Sequence, residues 1–249
     1  MNIAKMTAAM LALTVCVISP AKSATLSAGE ILKASDLARG GGLPGIEWTI
    51  KMSTVDSDSQ EYREMLVQAR DENSLATTVQ PARMAGGKLL QVGHNMWYAK
   101  PSLRKPISIS PRQKLSGPAA NGDIASTNYV LNYNARSLRE DKVGNEDAYV
   151  LDLTARNKWV TYDRIVYWVS KSRLVALKAE FYTVSGKLFK TATFEHGNEI
   201  HFKGQTSPFV SKMTIQDAIN KDRYSVLEYS DVKVKSLSPV TFNASTLVN

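Results

Sequence analysis

The sequence predicts a mainly β protein of the α+β class, built on one large antiparallel sheet with few helices. About ten or eleven segments alternate apolar and polar residues, which is the pattern of strands with one dry face. Their spacing is that of hairpins, and almost no helical periodicity lies between them, which argues against a βαβ fold. A sheet of this size must curl. Because so little helix is available to cover its dry face, the pattern also predicts an apolar cavity.

The first segment, residues 1–23, is predicted to be a signal peptide that is removed on export. Lys5 precedes an apolar run from Met6 to Ser19, which is short for a membrane span, and small residues follow Pro20. The remaining residues, 24–249, are enough to bury a full-sized core, so one domain is expected. Cys16 is the only cysteine, and the exported chain therefore has neither a disulfide nor a thiolate metal site.

The charge of the exported chain is basic. Without Lys5 and Lys22, 29 of the 31 basic residues remain against 23 acidic ones, a net charge of +6. For an exported protein, such a charge favours anionic lipid head groups or an acidic protein surface over nucleic acid. A solvated basic surface is the simpler explanation, so charge by itself identifies no partner.

The first predicted element of the exported chain is a short helix. Ser27 and Glu30 have the spacing of a capping box, Ile31 and Leu32 lie together, and the glycines at 40–42 end the helix.

The first predicted strand begins at Ile46, and its residues Ile46, Trp48 and Ile50 alternate with polar residues. Further strands follow at 62–70 and 74–80, and then at 88–100. In that last stretch Leu90, Val92 and Met96 are placed on one face.

The second half of the chain repeats the pattern. Leu151 and Leu153 share a face within 146–156, whereas 163–171 is apolar on both faces and is expected to be central. A hairpin over 176–195 places Leu177 and Phe181 on one side, and two further strands end the series. The predicted cavity lining is Ile46, Trp48, Ile50, Leu90, Val92, Met96, Leu151, Leu153, Leu177 and Phe181.

The chain has no motif of a known catalytic site. The nucleophile elbow, the paired-histidine zinc motif and the phosphate loop are all missing from the sequence. His94, His196 and His201 would form a metal site only if the fold brought them together, so no metal or cofactor is predicted. We therefore expect a protein that is not an enzyme.

Several stretches together resemble a known family. They are SDLARGG after the first helix, Y-x-K-P-S-L-R-K-P-I-S-I-S at 98–110, GD-x-A-x-T-N-Y at 122–129, W-V followed by E-F-Y and S-G-K at 168–187, and TFNASTL at 241–247. This combination resembles the outer-membrane lipoprotein-sorting proteins, the LolA-like periplasmic carriers. The resemblance implies an incomplete, strongly curved β-barrel with helices that lid its concave face. It also implies a periplasmic protein of a Gram-negative envelope that shields acyl chains between the two membranes.

The resemblance gives a meaning to the small residues of 112–129. They suit a loop and short helix that reposition over the mouth of a cavity, with Asp123 as the N-cap of the following turn. A fixed connection packed on the sheet fits the same residues, and the two alternatives stay open. The lid candidates are Gly117, Pro118, Gly122, Asp123 and Ile124.

Compared with the carrier for which the family is named, this chain has an insertion at 110–129. The cargo-contacting residues of that carrier are therefore not assigned to individual positions here. Longer members of the family look like partners of inner-membrane exporters of the RND superfamily. The expected partners are a lipid or lipidated protein as cargo, such an exporter and an outer-membrane acceptor, with peripheral membrane contact by a monomer. The basic residues beside the lid, which we expect to meet phosphate or carboxylate groups, are Arg104, Lys105, Arg112 and Lys114.

Two alternatives from other functional classes also fit the sequence. One is an envelope-assembly accessory protein that binds an exporter through a sheet edge or the basic loop. The other is a periplasmic hydrolase whose polar site is assembled from distant strands.

Overall fold

The computed structural model describes residues 26–57, 59–125 and 128–248, so the predicted signal peptide lies outside the described residues. The described residues form three α-helices and seventeen strands. The helices are α1 (Ala28–Leu37), α2 (Asn121–Ala125) and α3 (Tyr129–Asn132). The strands are β1 (Ile46–Asp56), β2 (Ser59–Arg70), β3 (Asn73–Gln80), β4 (Lys88–Val92), β5 (Asn95–Ala99), β6 (Ile107–Ile109), β7 (Lys114–Ser116), β8 (Ala119–Ala120), β9 (Tyr133–Val143), β10 (Glu146–Ala155), β11 (Arg164–Ser170), β12 (Ala176–Tyr182), β13 (Leu188–Glu195), β14 (Asn198–Phe202), β15 (Gln205–Phe209), β16 (Lys212–Asp217) and β17 (Tyr224–Val234).

Thirteen of these strands form one antiparallel sheet. Their order is β6-β5-β4-β3-β2-β1-β17-β16-β13-β12-β11-β10-β9, and β14–β15 and β7–β8 form two separate ribbons. The edge strands β6 and β9 do not pair with each other, so the sheet stays open. The predicted fold class, a mainly β protein with one large open antiparallel sheet, is confirmed.

One face of the sheet carries the main hydrophobic core, and we call it the inner face. Ile50 of β1, Leu153 of β10 and Ile215 of β16 belong to the same buried cluster. Neighbouring strands lie about 4.8 Å apart, so strands as distant in the sheet as β1 and β10 share a core only if the sheet curls around it. The sheet is therefore a half-barrel.

Helix α1 covers part of the inner face and begins as predicted. The backbone N–H of Ser27 donates to Oε2 of Glu30 at 2.8 Å, and the backbone N–H of Glu30 donates to Oγ of Ser27 at 3.3 Å, which completes the capping box. Ile31 and Leu32 are buried in the main core. None of the helices in the described part of the chain has the length and apolar character of a membrane span.

The opposite, outer face carries two smaller clusters. Near one edge, Leu237, Phe242 and Leu247 of the C-terminal segment pack with Leu90 of β4. Near the other edge, Val150, Val166 and Trp168 pack together on β10 and β11. The C-terminal segment thus closes part of the sheet surface that the helices leave uncovered.

Candidate functional site

The centre of the inner face is an aromatic layer. Its rings come from strands that are distant in sequence, from α3 and from the loop between β10 and β11, and edge-to-face and stacked contacts of this kind add to the energy of burial. The ring pairs, with their centroid separations, are Tyr162–Phe181 at 4.0 Å, Tyr129–Tyr133 at 5.3 Å, Tyr129–Tyr167 at 5.7 Å, Trp48–Phe209 at 5.9 Å and Tyr167–Phe194 at 6.2 Å.

Two buried ionisable residues lie inside this layer: Asp36 in the last turn of α1 and Arg39 just past its C-terminal end. The guanidinium of Arg39 lies 4.2 Å from the ring centroid of Tyr129, and Arg39 is only 7% exposed. Oδ2 of Asp36 accepts the backbone N–H of Val130 at 2.7 Å, which ties α1 to α3. Burial raises the pKa of Asp36 to about 7, although the Val130 N–H and the Arg39 guanidinium both act to lower it.

The small-residue stretch, for which the sequence leaves a lid and a fixed connection open, is packed into the half-barrel. We call residues 112–125 the plug segment, and each residue from Ser116 to Ala125 is buried. Gly117 has φ +51°, and a Cβ there would lie 2.3 Å from Cγ2 of Thr54. A Cβ on Gly122 would lie 1.9 Å from Oγ1 of Thr161. Close packing against the two threonines therefore requires glycine at both positions, and at Gly117 the backbone conformation requires it as well.

Ion pairs and hydrogen bonds anchor the start of the plug segment. Arg112 donates two hydrogen bonds to Asp163, at 2.8 and 2.9 Å, and a third to the carbonyl of Val160 at 2.9 Å. Near the end of β1, Lys114 pairs with Asp56. These anchors join the plug segment to β1 and to the loop between β10 and β11.

The buried carboxylate of Asp123 is a further anchor. It accepts the hydroxyl of Tyr162 at 2.7 Å and the backbone N–H of Ala120 at 2.8 Å. The predicted role of Asp123 as an N-cap is wrong, because α2 begins at Asn121 and Asp123 lies inside it. Ile124 of the same helix reaches the main core, and Pro118 lies between the strands of the β7–β8 ribbon.

Seven of the ten predicted lining residues lie in the main core on the inner face. Leu90 and Val92 do not: they pack on the outer face with the C-terminal segment. The two-residue turn at 93–94 pairs Val92 with Asn95 and Gln91 with Met96. Residues with numbers of the same parity on the two arms of such a hairpin point to opposite faces, so the predicted grouping of Leu90 and Val92 with Met96 is wrong. The seven residues in the main core are Ile46, Trp48, Ile50, Met96, Leu151, Leu153 and Phe181, and their contact with a ligand stays a prediction.

Leu177 also lies on the outer face, where it packs with Val150 and Trp168. The register between β11 and β12 shifts there, since Trp168 pairs with Lys178 but Val169 pairs with Ala176. The extra residue of this bulge turns Leu177 away from the face that carries Phe181. The predicted grouping of Leu177 with Phe181 is therefore wrong.

In the part of the chain that the structure describes, side chains fill much of the inner face, where the sequence predicts an apolar cavity. Trp48, Ile50 and Phe181 are each at most 1% exposed. The pocket that reaches Tyr129, Tyr133 and other inner-face residues has a volume of about 10 Å³, which is room for one water molecule. Larger clefts of about 270–420 Å³ open beside α1, the plug segment and the loops around β5. An acyl chain needs a site on the order of 300 Å³, so one that binds against the inner face itself has to displace part of this filling.

Comparisons with known proteins place this architecture in a family. A crystal structure of a LolA superfamily protein from Nitrosomonas europaea superposes with a TM-score of 0.78 and 33% identity, over 89% of this chain and 99% of that one. The chain belongs to the LolA superfamily. A family profile described as "Uncharacterized protein" matches residues 70–249, and the comparison with curated proteins gives no match.

Two less similar structures share the LolA fold. A domain assigned to outer-membrane lipoprotein sorting, from Vibrio parahaemolyticus, has a TM-score of 0.75 at 23% identity over 89% of this chain and 98% of that one. A DUF1329 family protein from Desulfovibrio piger has a TM-score of 0.72 at 22% identity over 88% and 97% of the two chains.

The four predicted basic residues of this LolA-superfamily chain fall into two pairs. Arg112 and Lys114 are engaged in the anchors of the plug segment. Arg104 and Lys105 lie in the loop between β5 and β6, are exposed, and form no ion pair with another described residue. The three histidines lie in the β4–β5 turn, after β13 and in β14, and no group of three His, Cys, Asp or Glu residues in the described ranges is arranged to hold a metal ion.

Sequence reasoning missed several residues at the centre of the site. Alternation gives no signal for them, because Arg39, Tyr129 and Tyr162 lie outside the strands and Tyr133 is the first residue of β9. Only Arg39 and Tyr129 fall within stretches that carried the family resemblance, and that resemblance assigned them no role.

Proposed function

We propose that this protein is a periplasmic carrier that binds the acyl chains of a lipid or lipidated protein against the inner face of its half-barrel. The observation that supports it is the combination of LolA-superfamily membership with an apolar inner face covered by short, separable segments. These segments are α1, the plug segment and α3. A carrier needs such a cover because an exposed apolar face of this size would aggregate in water.

The free energy of the cargo explains why a protein is needed. Each buried CH₂ contributes about 0.8 kcal/mol, so an acyl chain of about sixteen carbons loses on the order of 12 kcal/mol when it leaves a bilayer for water. Spontaneous transfer across the periplasm is accordingly slow. A carrier must offset most of this loss and still release the chain, which a fixed open cavity would do poorly.

Exchange of the covering segments for the acyl chain allows both tight binding and release. In the empty protein, side chains such as Ile124 and Tyr129 occupy the inner face. When an acyl chain enters, it replaces them at the same apolar surface, so the net change in buried area is small in either direction. The affinity then depends on how firmly the cover is anchored, and the exposed anchors Arg112–Asp163 and Lys114–Asp56 keep that cost low.

The plug segment is the part of the cover that we expect to move. It follows β6 through a short connection, whereas α1 continues through its glycines toward β1. The segment then acts as a lid that is packed inside the half-barrel and moves out when cargo binds. The expected donor is an inner-membrane exporter of the RND superfamily, and the expected acceptor is at the outer membrane.

Lipid extraction of the purified protein tests the proposal. The protein is isolated from the periplasm without detergent, extracted with organic solvent, and the extract is analysed by mass spectrometry. We expect acyl lipid or lipopeptide in reproducible proportion to protein, and competition by that species for a fluorescent apolar probe. A protein that yields no acyl species and fails to bind the probe would contradict the carrier function.

A further inference from the structure

All connections at one end of the half-barrel can be identified from the strand pairing. Asp56 at the end of β1 pairs with Ser59, and the same end holds the start of β17 and the end of β16. Following the antiparallel register around the sheet places five further connections there. We call them the loop rim: 81–87, 100–106, 156–163, 183–187 and 218–223.

The loop rim carries the most exposed large apolar residues of the main sheet. Val184 is 84% exposed, Ile219 is 74% exposed and Trp159 is 54% exposed, each in a different connection. Ile107, at the start of β6, is 49% exposed. Exposure of large apolar side chains is ordinary when they are scattered. Val184, Ile219 and Trp159 lie in three neighbouring connections, and Ile107 follows a fourth one farther along the rim, which indicates a surface that meets an apolar medium.

Each of these apolar tips has a basic neighbour. Lys158 lies over the ring of Trp159, with Nζ 4.9 Å from the ring centroid, and Lys187 and Lys221 follow Val184 and Ile219 by three and two positions. The β5–β6 connection adds further cations before Ile107. The eight exposed basic residues of the loop rim that form no ion pair with a described acid are Arg83, Lys100, Arg104, Lys105, Arg156, Lys158, Lys187 and Lys221.

The acids of the loop rim do not cancel this charge. Asp163 and Asp56 are held in ion pairs with Arg112 and Lys114, and Asp217 lies beside Arg223. Asp222 is the described carboxylate of these connections that remains exposed without an ion pair. In addition, the stretch from Asn73 to Gly122, which supplies two of the five connections, contains seven Lys or Arg residues and no acid.

From this arrangement we propose that the loop rim docks on the surface of an anionic phospholipid bilayer. Isolated apolar tips beside lysines suit such a surface, since the apolar side chains enter the head-group boundary while the cations stay with the phosphates. Trp at this depth is typical of interfacial contacts. A protein partner would instead need a continuous surface of about 800 Å² on this chain, depleted in lysine. The rim offers separated tips rich in lysine.

Docking would also bring phosphates to the anchors of the plug segment. Asp56 and Asp163 lie at the same end of the half-barrel, so lipid phosphates would compete with them for Lys114 and Arg112. This part of the inference rests on the proposed carrier function, whereas docking itself does not.

Vesicle flotation of the full mature chain tests the docking. We expect binding to vesicles that contain phosphatidylglycerol and much weaker binding to phosphatidylcholine alone. Arg104→Gln/Lys105→Gln should weaken binding about thirtyfold, and Val184→Ser/Ile219→Ser should weaken it roughly tenfold or more. Two control variants lie away from the rim. Lys203→Gln/Lys233→Gln removes the same amount of charge, and Val240→Ser replaces an apolar side chain that is 70% exposed. The controls should bind like the parent protein.

A fluorescent apolar probe, measured on the same proteins without vesicles, separates docking from cargo binding. Rim variants should retain the probe affinity and the thermal unfolding midpoint of the parent. The docking proposal is overturned if the parent binds both kinds of vesicle equally or not at all, or if the controls lose as much binding as the rim variants. If the parent protein binds the probe but no vesicle, the docking proposal is rejected and the carrier function stands. If it binds anionic vesicles but not the probe, only the carrier function is rejected.

Discussion

At the scale of single residues, the buried pair of Asp36 and Arg39 is the most consequential feature of the inner face. A charge inside an apolar layer is tolerated because aromatic rings, a backbone N–H and the opposite charge surround it. The charge on Arg39 favours an ionised Asp36, but burial opposes that ionisation more strongly. The hydrogen bond from Val130 to Asp36 ties α1 to α3 over the sheet.

The first prediction concerns the pH dependence of stability. In the folded chain Asp36 has a pKa of about 7, above its ordinary value of 3.8. Its contribution to stability is therefore full below the pKa of the unfolded chain and is lost as the pH rises through about 7. Relative to Asp36→Asn, we expect the free energy of unfolding to rise by up to about 1.4 kcal/mol per pH unit as the pH falls from 7 toward 4.

Denaturant unfolding of both proteins across this pH range measures the difference. His196 acts in the opposite direction, because burial lowers its pKa to about 4, but it is present in both proteins and cancels from the comparison. A difference between the two proteins that stays constant with pH would show that the Asp36 carboxyl is ionised throughout.

The second prediction separates steric and conformational demands at three glycines. Gly117 combines positive φ with a clash at Thr54, Gly122 has the clash at Thr161 alone, and Gly144 has φ +60° with open space around it. Substitution by Ala should cost about 1 kcal/mol at Gly144 and roughly 2–4 kcal/mol at Gly117, with Gly122 between them. Equal losses at all three sites in urea unfolding would contradict a packed plug segment.

At the scale of elements, the sequence predicts which residues of one strand share a face. It predicts less well which faces of neighbouring strands lie on the same side of the sheet. Within β1, residues Ile46, Trp48 and Ile50 face inward as the pattern indicates. At the turn at 93–94 and at the bulge before Lys178, strict alternation is interrupted. Residues beyond these points therefore lie on the face opposite to the one that alternation predicts. A periodicity of two carries no information on such shifts, because an inserted residue reverses every assignment that follows it.

The third prediction concerns the anchor between Arg112 and Asp163. The pair of Arg173 and Glu146 is a matched control: it also has two hydrogen bonds, and its side chains have similar exposure, 39% and 28% against 34% and 27%. Each Arg→Gln change should lower the free energy of unfolding by up to about 1 kcal/mol. Only Arg112→Gln should raise the affinity for an apolar fluorescent probe, by as much as about fivefold, since it alone loosens the cover.

Probe titration and urea unfolding of the two variants are enough for this test. The expected pattern is equal stability and unequal affinity. If both variants bind the probe as the parent does, the ion pair of Arg112 does not limit access to the inner face. If both bind it more tightly, affinity follows global stability and the plug segment has no special role.

At the scale of the whole molecule, the sequence predicted the open antiparallel sheet and the family, but not the filling of the inner face. The strand pattern indicates how many strands present an apolar face that must be covered. It cannot show that residues 116–125, small and without periodicity, pack inside the half-barrel. Tyr162 and Arg39 are likewise placed by tertiary contacts of loops, so their role in the interior is visible only in three dimensions.

The last prediction asks where an acyl chain goes in the folded protein. Trp48 lies on the inner face and Trp168 on the outer face, and both are nearly fully buried. Two variants that each keep one of these tryptophans, with Phe at the other three positions, report on the two faces separately. A brominated fatty acid quenches indole fluorescence only near contact. If cargo replaces the cover on the inner face, it should quench Trp48 strongly and leave Trp168 unchanged, whereas equal quenching would mean that the chain binds elsewhere or unfolds the sheet.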